Sequence, residues 1–194
     1  MARFLNRTRS QRGVTLIELL LVVGITGVVG AMATAQIAAV RRSMQGDGAM
    51  RLMMTQLSTA REMAVTQRRN MELKFTDPNW VQIVRHEVPA GTTTLSSMAF
   101  EGNVTFRIIP GVSDTPDAFG NASAKAFGTA TSYTFSSEGT FIDNLGNPLN
   151  GTIYLAVVNV AKSQRAVTVM GGTGRVRGYK WTCNTLNVCA WNRV

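Results

Sequence analysis

The 194-residue chain carries 20 basic and 11 acidic side chains, a formal net charge of +9, and is 45% hydrophobic. That length suits one globular domain with something appended, and the composition excludes a disordered chain. One histidine excludes metal clusters built on several histidines, and Cys183 and Cys189 alone make a poor zinc site.

Four arginines (Arg3, Arg7, Arg9, Arg12) and no acid fall in the first 13 residues. From Val14 to Val40 the only charge is Glu18. As a helix this stretch spans ~40 Å at 1.5 Å per residue, enough for a bilayer core of ~30 Å. The arginine-rich start is expected to stay cytoplasmic. A secretory signal peptide would have a shorter apolar stretch and end it at a small-residue cut site, so the alternative is a plain signal anchor. Glu18 argues against that alternative. A carboxylate in a membrane helix costs ~2.5–3.5 kcal/mol at mid-bilayer, so its presence points to a partner. The α-amino group of a neighbouring subunit is one, if the mature chain begins at Val14. Gly24, Gly27 and Gly30 recur every third residue and suit close helix approach, or simply an adaptable membrane helix.

Arg41 and Arg42 close this segment. After an interruption at Gly46-Asp47-Gly48, Met50, Met53, Leu57, Ala60 and Ala64 recur at helical spacing. The stretch to about Asn70 is therefore predicted to be an amphipathic helix, packed on the protein's own sheet or, less simply, offering a groove to a partner. From Met71 the texture changes to short β-branched and aromatic runs: 71–75, 80–85, 104–109, 132–135, 152–158 and 165–169. Residues 111–131 read as a long loop. The layout is α+β, a long N-terminal helix packed on an antiparallel β-sheet.

Charge is unevenly placed. Residues 43–143 hold eight basic and ten acidic side chains; from Asn144 onward there are six basic residues and no acid. Cys183 and Cys189 read as a small disulfide loop in an exported chain and as free thiols in a reducing cytosol. No catalytic constellation is found, since any Ser–His–Asp set would have to use His86, which sits in a strand-like run beside Glu87. No phosphate-binding glycine loop and no cofactor site are present in the pattern, and the chain reads as a non-enzyme. In Gly174-Arg175-Val176-Arg177 an extended backbone sends both arginines to one side, ~7 Å apart. Flanking glycines are expected to keep the backbone open. Arg175, Arg177 and Lys180, with Tyr179 or Trp181 as a stacking surface, suit a polyanion such as double-stranded DNA. They suit equally an edge strand protected by charge, or pairing with carboxylates of a neighbouring subunit.

The segment Arg12-Gly13-Val14-Thr15-Leu16-Ile17-Glu18-Leu19-Leu20 resembles the processing site of type IV prepilins and pseudopilins. That resemblance implies cleavage after Gly13 by a prepilin peptidase, methylation of Val14, and a role for Glu18 in filament assembly. Most members begin with phenylalanine after the cut, where this chain has Val14. The remainder resembles the GspH/FimT group through Leu57–Asn70, Phe135-Ser136-Ser137-Glu138-Gly139, the strand Thr152–Val158, and Arg165–Val169 leading to Gly174-Arg175-Val176-Arg177. The implied organisation is a leader at 1–13, a transmembrane and filament-core helix at 14–41, an amphipathic helix at 42–74 and a periplasmic β-rich domain at 75–194, single-pass in the bacterial inner membrane. The resemblance implies a minor pilin that assembles with other pilins. In FimT-like members the Gly-Arg-x-Arg motif is associated with DNA binding in natural transformation. The alternative it carries is the pseudopilin H subunit of a type II secretion system.

Overall fold

The computed structural model describes residues 13–120 and 122–194, leaving out the side chains of 33–36, 38 and 39. The chain divides into two compact units, 1–39 and 40–194. One helix, α1 (Leu16–Gln67), contributes to both. In the first unit every described side chain from Val14 to Met32 is exposed. Thr26 donates its hydroxyl to the carbonyls of Val22 (2.9 Å) and Val23 (3.1 Å), which satisfies its polar group within the helix. Among the described residues no helix is long and apolar enough to cross a membrane.

In the second unit α1 buries the expected stripe of Met50, Met53, Leu57, Ala60 and Ala64. It does not break at Gly46-Asp47-Gly48, contrary to the sequence reading. Two opposed demands explain those residues. Gly46 is buried where a Cβ would collide with the carbonyl oxygen of Ser163, and Asp47 accepts an ion pair from the sheet. The helix ends earlier than the 42–74 boundary implied. Arg68 turns left-handed (φ 50°) and the Arg69 N–H donates to Ala64 O (3.1 Å), a terminal αL turn.

The α+β layout is as expected, a helix packed on antiparallel β-structure, and the strands divide into two sheets. Strands β1 (Met71–Thr76), β2 (Trp80–His86), β3 (Thr92–Ala99), β6 (Thr134–Phe135) and β7 (Phe141–Ile142) form a five-stranded sheet in the order β3-β2-β1-β6-β7. The second sheet has the order β11-β10-β9-β8-β4, from β4 (Val104–Phe106), β8 (Gly151–Val157), β9 (Arg165–Met170), β10 (Arg175–Cys183) and β11 (Cys189–Arg193), while β5 (Lys125–Ala126) adds to β8. All pairings are antiparallel. The helical stripe shares one core with Met71, Leu73, Val81 and Ile83 of the first sheet and Ile153, Leu155, Val167 and Val169 of the second.

Strand β4 stops short of Ile109 because the Ile109 N–H donates to the Gln164 side chain (2.9 Å), not to a ladder partner. Strand β8 is buried along its whole length because both its faces are covered. Its inner face meets the core, and on its outer face Tyr154 packs with Ala166, Tyr179 and Trp191. The predicted long loop provides the cover. Trp191 Nε1 donates to Ser113 O (2.9 Å) and the Tyr154 hydroxyl donates to Asp114 (2.9 Å).

Cys183 and Cys189 face each other in the β10–β11 ladder and are joined by a disulfide. The Asn184 side-chain oxygen also accepts the N–H groups of Leu186 and Val188 (2.9 Å each), so hydrogen bonds already hold the turn. Closing so short a loop adds at most about 2 kcal/mol on the chain-entropy model. The double variant Cys183→Ser/Cys189→Ser is therefore expected to lose about 1–2 kcal/mol in urea unfolding and to keep its fold.

Candidate functional site

The N-terminal site is built on a helix start. Gly13, Val14 and Thr15 are non-helical, and α1 begins at Leu16. The Thr15 hydroxyl accepts the Glu18 N–H (3.3 Å) and the Thr15 carbonyl accepts the Leu19 N–H (3.1 Å), so Thr15 caps the helix. Thr-x-x-Glu is the capping-box pattern, a signal present in the sequence and passed over there. The Gly13–Val14 bond thus lies outside the helix. Glu18 sits in the first turn, where the helix dipole favours an acid. That local role is open to it with or without a partner subunit. The arginine-rich residues 1–12, expected to belong to a leader, lie outside the described residues.

The C-terminal site is not assembled as the sequence suggested. Alternation along β10 places Arg175, Arg177 and Tyr179 on one face of the sheet, and Val176, Gly178 and Lys180 on the face toward the helix. Arg177 is ion-paired with Asp117, whose side chain is 9% exposed, and the buried Arg177 Nε has no hydrogen-bond partner among the described residues. Thr168, opposite Arg177 in the ladder, donates its hydroxyl to the same carboxylate (2.6 Å). Burial pushes the Asp117 carboxyl up, but the Thr168 and Tyr179 hydroxyls and the Arg177 charge outweigh it and hold the carboxyl below its ordinary value. The same burial, with the Asp117 charge beside it, pushes the Tyr179 hydroxyl up.

On the opposite face Lys180 pairs with Asp47 (3.2 Å). Asp47 also receives Arg165 Nε (2.6 Å). The acid-free C-terminal sequence therefore meets acids in space. Asp117 comes from the loop and Asp47 from the helix, and sequence distance concealed both. Arg175 remains exposed.

Gly174 and Gly178 are not open backbone, whereas Gly172 is. Gly174 is left-handed (φ 60°), and a Cβ there would collide with the Gly139 carbonyl and the Arg61 side chain; one at Gly178 would lie 2.6 Å from Met54 Sδ. Arg61 Nε donates to Gly139 O (3.1 Å). Arg61, Glu62, Thr66, Thr173 and Arg175 line a groove of about 630 Å³ between the end of α1 and the start of β10. His86 lies against Glu72 (3.1 Å). Among the described residues no group of three or more His, Cys, Asp or Glu is placed to hold a metal ion.

Residues 8–34 match the model of the prokaryotic N-terminal methylation motif. The type IV minor pilin FimU of Pseudomonas aeruginosa is similar in structure, with a TM-score of 0.47 and 16% identity over 67% of this chain and 84% of that one. The minor pseudopilin EpsH of the Type 2 Secretion System of Vibrio cholerae is similar with a TM-score of 0.44 and 13% identity, over 68% of this chain and 94% of that one. No curated protein sequence shows a significant match. The matched model covers the N-terminal methylation motif alone, and that motif leads into the capped helix that packs on the antiparallel sheets.

Proposed function

We propose that the chain is a minor pilin or pseudopilin subunit. A prepilin peptidase removes residues 1–13, Val14 is N-methylated, and residues 14–41 anchor the subunit in the bacterial inner membrane. Residues 42–194 then lie in the periplasm, and the processed helix packs with those of other pilins in a filament. The observation that carries this reading is the Thr15-capped helix opening directly after Gly13–Val14, with Glu18 in its first turn, inside the matched motif. N-terminal sequencing of protein from membranes is expected to read N-methylvaline at Val14; any other start sinks the processing claim. Glu18→Ala is expected to be processed normally yet to enter filaments at least about tenfold less well, the equivalent of ~1.4 kcal/mol. Incorporation at the parental level would remove Glu18 from assembly. A type IV pilus and a type II secretion filament demand the same anchor and fold, and the genes beside this one distinguish them.

A second reading, a module that binds double-stranded DNA, keeps one observation in its favour: Arg175 is exposed at the rim of a groove that also holds Arg61. Arg177 and Lys180 are held by carboxylates of the protein itself. Binding of duplex DNA that weakens with salt and with Arg175→Gln supports this reading; no shift at low salt removes it.

A further inference from the structure

One end of the second unit gathers four turns around the residues where α1 enters it. Arg165 ties Ser43 of the helix to the short 3-10 turn Ala161–Ser163, through Ser43 O (3.1 Å) and Lys162 O (2.9 Å). The Trp181 N–H donates to Gln164 O (3.2 Å), which sets the disulfide-closed turn beside that 3-10 turn. Phe106 N–H donates to Pro78 O and Phe100 N–H to Asn79 O (3.0 Å each), drawing the β1–β2 and β3–β4 turns to the same end. Arg42, Asn79 and Val158 line one shared cavity there.

This end exposes the large apolar side chains Trp80 (45%), Val158 (44%), Leu186 (81%) and Val188 (64%), with Met44 (64%) beside them on the helix. It also exposes the basic residues Arg41, Arg42 and Lys162. Its acids are Glu101, which has no ion-pair partner among the described residues, and Asp77, which is bridged by Lys125 (3.0 Å). The turn at the other end of β2 also exposes an apolar side chain, Val88, but beside Glu87. Apolar tips among cations form the surface that an anionic lipid layer accepts. The chain passes from this end through Val40 directly into the apolar run.

We propose that this end is a membrane-docking face. Before assembly, Leu186, Val188, Val158 and Trp80 enter the headgroup boundary of the bilayer while Arg41, Arg42 and Lys162 contact anionic phospholipid. The disulfide and the Asn184 turn hold Leu186 and Val188 out for that contact. This inference rests on the anchoring reading above and adds a second, reversible attachment to it. Assembly must detach this face as well as extract the helix.

The test uses the full chain in phosphatidylcholine vesicles with and without phosphatidylglycerol, with brominated acyl chains as quencher. Leu186→Trp places a reporter on the exposed turn, with Val188→Trp as an independent second reporter. The added tryptophan emission is expected to be quenched by brominated lipid, more so when phosphatidylglycerol is present. Arg41→Gln, Arg42→Gln and Lys162→Gln are each expected to lower the docked-to-undocked ratio by about fivefold. A chain that floats with the vesicles but whose reporters stay unquenched overturns the docking inference alone. A reporter that shifts to the blue without quenching also overturns it, because a second copy then covers the face. A chain that does not float overturns the anchoring reading, and this inference with it.

Discussion

Asp47→Ala is expected to lower the stability of the folded domain by about 3–5 kcal/mol, the loss typical when one partner of a buried ion pair is removed. Arg165 is fully buried at the start of β9, the central strand of the second sheet. Its guanidinium donates to Asp47 (2.6 Å), to the carbonyls of Lys162 (2.9 Å), Gln164 (2.8 Å) and Ser43 (3.1 Å), and to the Ser43 hydroxyl (3.0 Å). Four of those five bonds survive the substitution, but the compensating charge does not. Lys180→Ala serves as the contrast. Its side chain is 35% exposed and can return the ammonium to water, so a loss below about 1 kcal/mol is expected. Urea midpoints measure both; a loss at Asp47 no larger than that at Lys180 would falsify the clasp.

The same pair makes stability depend on pH. Burial raises the Asp47 carboxyl, but the hydrogen bonds and charges of Arg165 and Lys180 carry it below its ordinary value of 3.8. A carboxyl depressed in the folded state contributes its full stability above the unfolded value. It loses that contribution as pH falls through the folded one. The clasp is therefore expected to be intact at neutral pH and to weaken only below about pH 4. Asp47→Ala should flatten that acid limb.

Gly46→Ala and Gly48→Ala are expected to have opposite signs. In an exposed helix interior, glycine to alanine stabilises by up to about 1 kcal/mol. Gly48 has nothing within 4 Å of the position a Cβ would take, so it should show that gain. At Gly46 the Cβ would overlap the Ser163 carbonyl oxygen, a backbone atom that cannot rotate away. The helix must lift from the sheet or the 3-10 turn must shift. A loss of about 1–3 kcal/mol is expected, as for an overpacked core. Thermal unfolding of the two variants beside the parent decides it: two gains would mean that the contact is soft.

What the sequence made legible follows from how local each signal is. The apolar stripe at Met50, Met53, Leu57, Ala60 and Ala64 is a repeating pattern, and it is buried as read. The β-branched runs marked β1, β2, β8 and β9 for the same reason. The polar strand β3, Thr-Thr-Thr-Leu-Ser-Ser-Met-Ala, went unseen because it lies at a sheet edge and has little apolar alternation to show. Gly46-Asp47-Gly48 read as a break because glycine and aspartate disfavour helices locally, whereas the reasons for them, Ser163 and Arg165, lie more than a hundred positions away. The partner of Arg177 was hidden in the same manner. A count along the chain finds no acid near it, yet residues 108–126 carry Asp117 across the sheet onto its guanidinium. One clue to Arg165 was available: a charge at the head of a β-branched run, once buried there, requires a counter-charge.

The clasp has a mechanical consequence. Tension applied along the N-terminal helix enters the second unit at Val40, and the first anchored groups it meets are Ser43 and Asp47. Arg165 passes that load into the backbone at Lys162 and Gln164, and Lys180 passes it into the neighbouring strand. Several bonds thus share the pull in parallel before it reaches the methionine and leucine stripe. The joint works like a rivet at the lip of a seam, and peeling must start by shearing it.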